Sequence, residues 1–360
     1  MLLDNRLYTE DIEYVAGLSL PWEKLQGSSV LITGATGMIG SFLVDVIMYK
    51  NQKDRLNCVV YAVSRSEEKA RERFAAYWDR HDFKYKAQDI NQPLVCGEDF
   101  DIKPGDIGYL IHLASNTHPV AYSTDPIGTI YSNIIGTANL LSFASEYGVG
   151  RCAFASSNEI YGETRGDVEL FDENYCGYIA SNTLRAGYPE SKRCGEALCQ
   201  AYIKQKNMDI VIPRLTRSYG PTMLMSDTKA ISQFIRRGIA GEDIVLKSEG
   251  LQYYSYTYVA DAVAGMLYVL LSGECGEAYN ISDLRSDIRL KDLAAIIADY
   301  AGKKVIFELP DEVEKAGYST ATVARLDGSK LSKLGFTARY DIKQGIERTM
   351  AILSDMITHS

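Results

Sequence analysis

The segment "SSVLITGATGMIGSFLVDVIM", residues 28–48, limits the fold more than any other part of the chain. Val30 to Thr33 are four apolar or β-branched residues abutting a turn signal, the pattern of a short buried strand. Gly34, Gly37 and Gly40 follow at three-residue spacing, and an amphipathic helix opens near Met38. In that order each glycine has a use: a tight turn, close backbone approach to a pyrophosphate, and close packing of helix on strand. The free N–H groups at the helix start would then point at phosphate oxygens. Glycine-rich turns often carry no ligand. Here the strand before and the helix after favour the dinucleotide-binding reading.

Strand-like runs recur at "CVVYAVS" (58–64), "YLIHLAS" (109–115), "RCAFASS" (151–157) and "DIVIPRL" (209–215), with helical patterns at 134–149 and 191–206. Strands alternating with helices predict an α/β fold, a Rossmann-type doubly wound parallel sheet with a smaller C-terminal substrate-binding α/β domain. The expected division is an N-terminal extension (1–27), a mainly NAD(P)-binding domain (28–215) and a mainly substrate-binding domain (216–360), with some segments interleaved. A chain of 360 residues can bury a sizeable core in that arrangement.

Bulk properties narrow the function classes. Apolar residues make up 46% and charged residues 24%, as in soluble globular proteins. The formal net charge of −9 argues against nucleic acid and anionic membrane surfaces as partners. No apolar run approaches the roughly 18–20 residues of a membrane span, and "MLLDNRLYTEDIEYVAG" lacks the basic start and apolar centre of a signal peptide. The seven cysteines are scattered without a CxxC pair, which leads us to expect reduced thiols and a cytoplasmic location. None of the four histidines has metal-ligand spacing, so no metal is expected.

Ligands of such sheets sit at the carboxyl ends of strands. "FASSNEIYG" (154–162) places Ser157 and Glu159 at one of those ends. Glu159 is either a solvated residue at a loop start or a group aimed at a substrate as acid or base. "GYPESKRCGE" sets Tyr188 and Lys192 one helical turn apart. The same spacing occurs at Tyr49/Lys53, Tyr202/Lys206 and Tyr300/Lys304, so position rather than spacing selects the pair. Tyr188 alone follows the Ser157 strand end and precedes the next strand-like run. To act as a base near pH 7, its phenol must be stabilised as phenolate by roughly 4 kcal/mol. The lysine ammonium and an oxidised nicotinamide can supply that. With Ser157 on the same substrate oxygen, this is acid–base chemistry coupled to hydride transfer.

The second strand ends in Ser64 and Arg65, where NAD enzymes usually carry an acidic residue. A hydroxyl and a guanidinium suit a 2′-phosphate and admit NADP; the alternative is a merely solvated Arg65. Asp89, in "KAQDIN", suits an adenine amino group, with Ile90 packing on the ring.

"TGATGMIG", the Ser157 strand end, "YPESK" and "RLTRSYGP" stand in the order found in extended short-chain dehydrogenases/reductases that modify nucleotide sugars, and the chain resembles that family from about Ser28 onward. "ARLDGSKLSKLGF" and "DIKQGIERTM" are similar to the family's ending. Within the family, "IHLASNTHPVAYSTDPIGTIYSNIIGT", "SNEIYG", "RAGYPESKR" and "YGPTMLMSDTKAISQFI" resemble segments of UDP-glucuronate decarboxylases. The resemblance implies that Ser157 touches the sugar 4-oxygen, that Glu159 lies near C4 and C5, and that Tyr188 is the base with Lys192 as its partner. It implies NAD as cofactor, contacted by Gly34, Thr36, Gly37, Met38, Ile39, Gly40, Ser64, Arg65, Asp89, Ile90, Leu113, Ala114, Ser115, Asn133, Tyr188 and Lys192. Asn133 would hold a structural water or satisfy backbone groups. Substrate contacts would come from Tyr122, Asn158, Arg217 and Tyr254, and a homodimer from the helices at 134–149 and 188–206.

Three positions depart from those patterns. Arg217 replaces the family's asparagine beside the sugar nucleotide, and Tyr254 the decarboxylases' arginine near the sugar carboxylate. Asn158 replaces the aspartate of the related 4,6-dehydratases. Arg217 is the expected substitute clamp for a carboxylate or phosphate. The leading expectation is therefore an NAD(P)-dependent nucleotide-sugar enzyme that transiently oxidises C4, UDP-glucuronate decarboxylase-like, with 4-epimerase and 4,6-dehydratase behind it. Other classes are an NADP-dependent carbonyl reductase and a non-catalytic dinucleotide sensor.

Overall fold

Val30 to Thr33 lie in strand β1 (Ser29–Thr33), all of it buried, at the middle of the central sheet of a computed structural model that describes residues 2–97, 100–117, 119–308 and 321–358. β2 (Val59–Ser64) and β3 (Phe83–Ala87) extend the sheet to one side of β1. β4 (Tyr109–His112), β5 (Arg151–Phe154) and β7 (Ile210–Leu215) extend it to the other, and short β6 (Ser156–Ser157) also pairs with β7. All these pairings are parallel. The chain reverses its direction of growth between β1 and β4, and that crevice is where doubly wound sheets take ligands.

A second sheet supplies the opposite wall. β8 (Arg217–Tyr219) pairs in parallel with β10 (Tyr253–Tyr258), and β9 (Ile244–Leu246) belongs to a separate pair. β11 (Ala278–Ile281) returns to the central sheet beside β7, so late sequence interleaves with early sequence. β12 (Asp287–Arg289) and β14 (Val323–Ala324) flank β10, and β13 (Val305–Phe307) pairs with β9.

The helices follow the expected alternation, with shifts that have local causes. α1 (Arg6–Ala16) precedes the first strand, and α2 (Met38–Asp54) follows the glycine turn. After α3 (Glu67–Arg73) and α4 (Pro119–Thr124), α5 spans Pro126–Glu146, starting well ahead of the apolar pattern at 134. Asp125 caps it by accepting the Gly128 N–H at 3.0 Å, and Pro126 fits the first turn. α6 (Gly187–Lys206) packs along α5. α7 (Ala230–Ile239), α8 (Val259–Ser272), α9 (Leu290–Ala301) and the last helix, Ile342–Thr358, complete the fold. The 109–115 run leaves the sheet after His112, so Leu113, Ala114 and Ser115 form a loop at its carboxyl end. One apolar core runs continuously from β1 and α2 through α8 to the last helix. Among the described residues no helix is long and apolar enough to cross a membrane, and no cluster of three metal-ligating side chains occurs.

Candidate active site

The carboxyl ends of the central strands open into a cleft of about 1870 Å³, walled on the far side by Arg217, Tyr254 and Tyr256 of the second sheet. Its floor is the β1–α2 turn. Gly34 has φ +70°, and a Cβ there would lie 2.7 Å from the Ala114 backbone nitrogen. A Cβ on Gly40 would lie 2.5 Å from the Gly34 carbonyl oxygen and 2.9 Å from the Ala35 Cα. Two glycines are thus needed for the turn to close, and Gly37 begins α2 with its N–H on the Gly34 carbonyl at 2.9 Å. Thr36, Gly37, Met38, Ile39 and Gly40 all line the cleft. Free amides of the first turn of a 17-residue helix face it, a cradle that fits a dinucleotide pyrophosphate. Thr222 fastens this rim to the second lobe by donating to the Met38 carbonyl at 2.9 Å.

Ser64 and Arg65 line the cleft beyond the turn. The Ser64 hydroxyl shares a 2.9 Å hydrogen bond with the Tyr85 hydroxyl, while Arg65 is exposed. Asp89 and Ile90 line the same end; Asp89 accepts the Asn91 N–H at 2.9 Å and Ile90 packs where Gly136 of α5 leaves room. Leu113, Ala114 and Ser115 form the next part of the wall. Asn133 lies behind it, fully buried. Its amide accepts from the Ser115 hydroxyl at 2.7 Å and donates to the Ser191 hydroxyl at 2.9 Å, so it braces the β4 loop against α6.

Tyr188 enters from the first turn of α6, 5% exposed. Burial pushes its phenol up to about 12; hydrogen bonds from Ser157 and Ser115 and the Arg185 charge act downward, while Glu159 acts upward. Lys192, one turn on, donates to the Ala155 carbonyl at 2.8 Å and sits over the Phe154 ring. Burial lowers its ammonium to about 8. Among the protein groups that pull Tyr188 down are Ser157, Arg185 and Ser115. A cationic ring placed in the cleft acts in the same downward direction. Tyr122 of α4 stacks on Tyr188, centroids 4.8 Å apart at 26°.

Ser157 accepts the Glu159 N–H at 3.2 Å, starting a 3₁₀ turn over Asn158–Tyr161 that brings Asn158 and Glu159 to the cleft. The turn is anchored from below: Tyr161 donates to Asn280 at 2.6 Å and accepts from Arg214 at 2.9 Å. Glu159 is not a solvated loop residue. Its Oε2 accepts from Arg185 Nη2 at 2.7 Å, and its Oε1 lies 3.6 Å from Arg217 Nη2. The Arg217 guanidinium lies 3.5 Å from the centroid of Tyr254, and that of Arg185 4.8 Å from the centroid of Tyr122. The sequence reading did not single out Arg185. Its place three residues before Tyr188, on the short 3₁₀ turn leading into α6, was the available signal.

Comparison with known proteins fits this geometry. The NAD dependent epimerase/dehydratase family profile matches residues 30–282. UDP-glucuronic acid decarboxylase 1 of Xenopus tropicalis is 32% identical over 244 residues, 68% of this chain and 53% of that protein. UDP-glucuronic acid decarboxylase 1 of Danio rerio is 28% identical over 331 residues, 92% of this chain and 73% of that protein. The chain therefore spans about half the length of the first relative and nearly three quarters of the second. The dTDP-glucose 4,6-dehydratase DesIV of Streptomyces venezuelae, solved with NAD, has a TM-score of 0.76 at 22% identity, covering 91% of this chain and 97% of that one. The UDP-glucuronic acid 4-epimerase of Bacillus cereus, solved with UDP-glucuronic acid and NAD, has a TM-score of 0.76 at 21% identity, covering 91% and 99%. At these identities the two structures share the fold.

Proposed function

Because the chain belongs to the NAD-dependent epimerase/dehydratase family, we propose that it is a nucleotide-sugar enzyme working through transient oxidation of sugar C4, with UDP-glucuronate decarboxylation as its leading reaction. The observation that carries this reading is the placement of Tyr188. Its phenol is buried in the cleft wall where Ser157 acts to lower its pKa, with the glycine turn and the Glu159–arginine cluster lining the same cleft. NAD is preferred to NADP, in keeping with the NAD dependent family, and at the end of β2 the Ser64 hydroxyl is already engaged by Tyr85.

When bound, NAD supplies the hydride acceptor and the returning hydride. Tyr188 takes the proton from the sugar 4-hydroxyl, and Ser157 holds that oxygen in line. Lys192, held on the Ala155 carbonyl, keeps a positive charge beneath the site. The resulting C4 ketone makes C5 acidic and lets a C5 carboxylate leave as carbon dioxide, its bonding electrons passing into the enolate. Glu159, held as a carboxylate by the two arginines, orients a water that relays a solvent proton to the enolate and so restores C5. A 4-epimerase and a 4,6-dehydratase use the same opening step, and mass spectrometry of the products from UDP-glucuronate and from UDP- and dTDP-glucose separates them. From UDP-glucuronate, loss of carbon dioxide is expected and an isobaric product means epimerisation; loss of water from a glucose nucleotide, which carries the 6-hydroxyl, means dehydration. Steady consumption of reduced cofactor would instead assign a carbonyl reductase. Tyr188→Phe is expected to slow turnover at least about 100-fold, and equal turnover would remove the mechanism.

The proposal includes a homodimer in a reducing compartment. Ile127, Tyr131 and Ile135 form an exposed stripe along α5, at 65%, 51% and 38% exposure, suited to a helical seam with a second copy. All seven cysteines are free thiols, which supports a cytoplasmic location.

A further inference from the structure

Two cations and one anion meet on the substrate side of the cleft. The side chains of Arg185, Arg217 and Glu159 are only 12%, 17% and 19% exposed. Glu159 gives one oxygen to each guanidinium, closely to Arg185 and loosely to Arg217. Among the described residues, Arg185 Nε and Nη1 and Arg217 Nη1 are shielded from solvent and have no acceptor. Buried guanidinium N–H groups are normally satisfied, so three such donors on one cluster leave room for an acceptor that arrives from outside.

The geometry also limits what that acceptor is. Tyr254 and Tyr122 lie against the two guanidinium groups and fix their planes. A guanidinium fork matches the two oxygens of a carboxylate better than one hydroxyl. Glu159 already brings one negative charge to two positive ones, leaving one charge to be balanced. Tyr188 stacks on Tyr122, whose ring faces Arg185, and Ser157 stands two residues before Glu159. An anionic group on the ring carbon next to the reacting one therefore reaches this cluster.

We infer that Arg185 and Arg217 form a subsite for a carboxylate on the sugar ring, with Glu159 as their resting counter-ion, so that the cleft selects a hexuronate over a neutral hexose. The inference rests on the nucleotide-sugar reading proposed above. It adds that Arg217 on β8 and Arg185 ahead of α6 carry the selectivity together, each offering donors that no described protein group satisfies. A neutral hexose leaves the three donors unmet, and sites built around a polar partner reject analogues that lack it.

The test is calorimetric titration of the NAD-loaded protein with UDP, UDP-glucose and UDP-glucuronate. The parent should bind UDP-glucuronate at least about tenfold more tightly than UDP-glucose. Arg217→Gln and Arg185→Gln should each erase most of that preference while changing the affinities for UDP and UDP-glucose less than about threefold. Retained UDP binding also shows that each variant is folded. No preference in the parent, or a preference untouched by both substitutions, overturns the subsite. Equal weakening of all three ligands overturns it too, because the arginines would then hold the diphosphate. If the parent binds no UDP, the nucleotide-sugar reading itself fails; if it binds UDP and UDP-glucose without discriminating the uronate, only the subsite fails.

Discussion

Tyr188 is governed by opposed influences. Burial raises its phenol most, Ser157, Ser115 and the Arg185 charge oppose that rise, and Glu159 adds to it. The phenolate is the active form, so the rate climbs as pH passes through the tyrosine's titration. Removing a cation that lowers it moves that climb to higher pH, and removing an anion that raises it moves the climb to lower pH. The normalised pH profile of kcat/KM is therefore expected to shift alkaline in Arg185→Gln and acid in Glu159→Gln. Shifts in the same direction, or none, would show that Tyr188 does not set the profile. Glu159 itself was legible only as a carboxylate at a strand end. Its ion pairs with Arg185 and Arg217 arise because β8 lies beside β10 and the Leu184–Ala186 turn leads directly into α6, long-range facts that no spacing encodes.

Single elements differ in how openly the sequence declares them. β1 and α2 are written into residues 28–48, since a glycine at φ +70° and another packed 2.5 Å from a carbonyl oxygen admit little else. β3 was missed because "FKYKA" keeps only Phe83 buried, as expected at a sheet edge, where alternation is weak. The first two turns of α5 were missed because two of their apolar residues, Ile127 and Tyr131, face outward. That same outward stripe carries a test of the dimer. Ile127, Tyr131 and Ile135 recur every four residues and so share one helical face. If a second copy covers them, Tyr131→Lys buries a charge in the seam, and sedimentation should show the parent as a dimer and the variant as a monomer. A monomeric parent, or a variant that remains fully dimeric, would exclude this seam.

Across the whole molecule, α1 ties the two lobes together, and it lies outside the matched span 30–282. Tyr8 donates to Asp45 of α2, which also pairs with Arg73 of α3. Further along, Asp11 accepts from Tyr258 of β10 at 2.5 Å, from Tyr340 at 2.7 Å and from Arg348 of the last helix at 2.9 Å. Tyr14 reaches Asp261 of α8 at 2.8 Å. The helix was invisible to motif reading because its polar contacts are to residues from tens to hundreds of positions away. Asp11 is fully buried, and burial outweighs its hydrogen bonds, raising its carboxyl above the usual range. The folded state therefore holds this proton to higher pH than the unfolded chain does. Its stabilising contribution is complete below the unfolded value of about 3.9 and is lost as pH rises through the raised folded value. Asp11→Ala strands the buried hydroxyls of Tyr258 and Tyr340, and at neutral pH is expected to cost about 2–4 kcal/mol in urea unfolding. The neutral Asp11→Asn variant lacks the titration, so its deficit against the parent should be largest at acid pH and shrink as pH rises. A deficit that grows with pH would mean Asp11 is held ionised by Arg348; a loss below about 0.5 kcal/mol in Asp11→Ala would mean that α1 does not hold the lobes together.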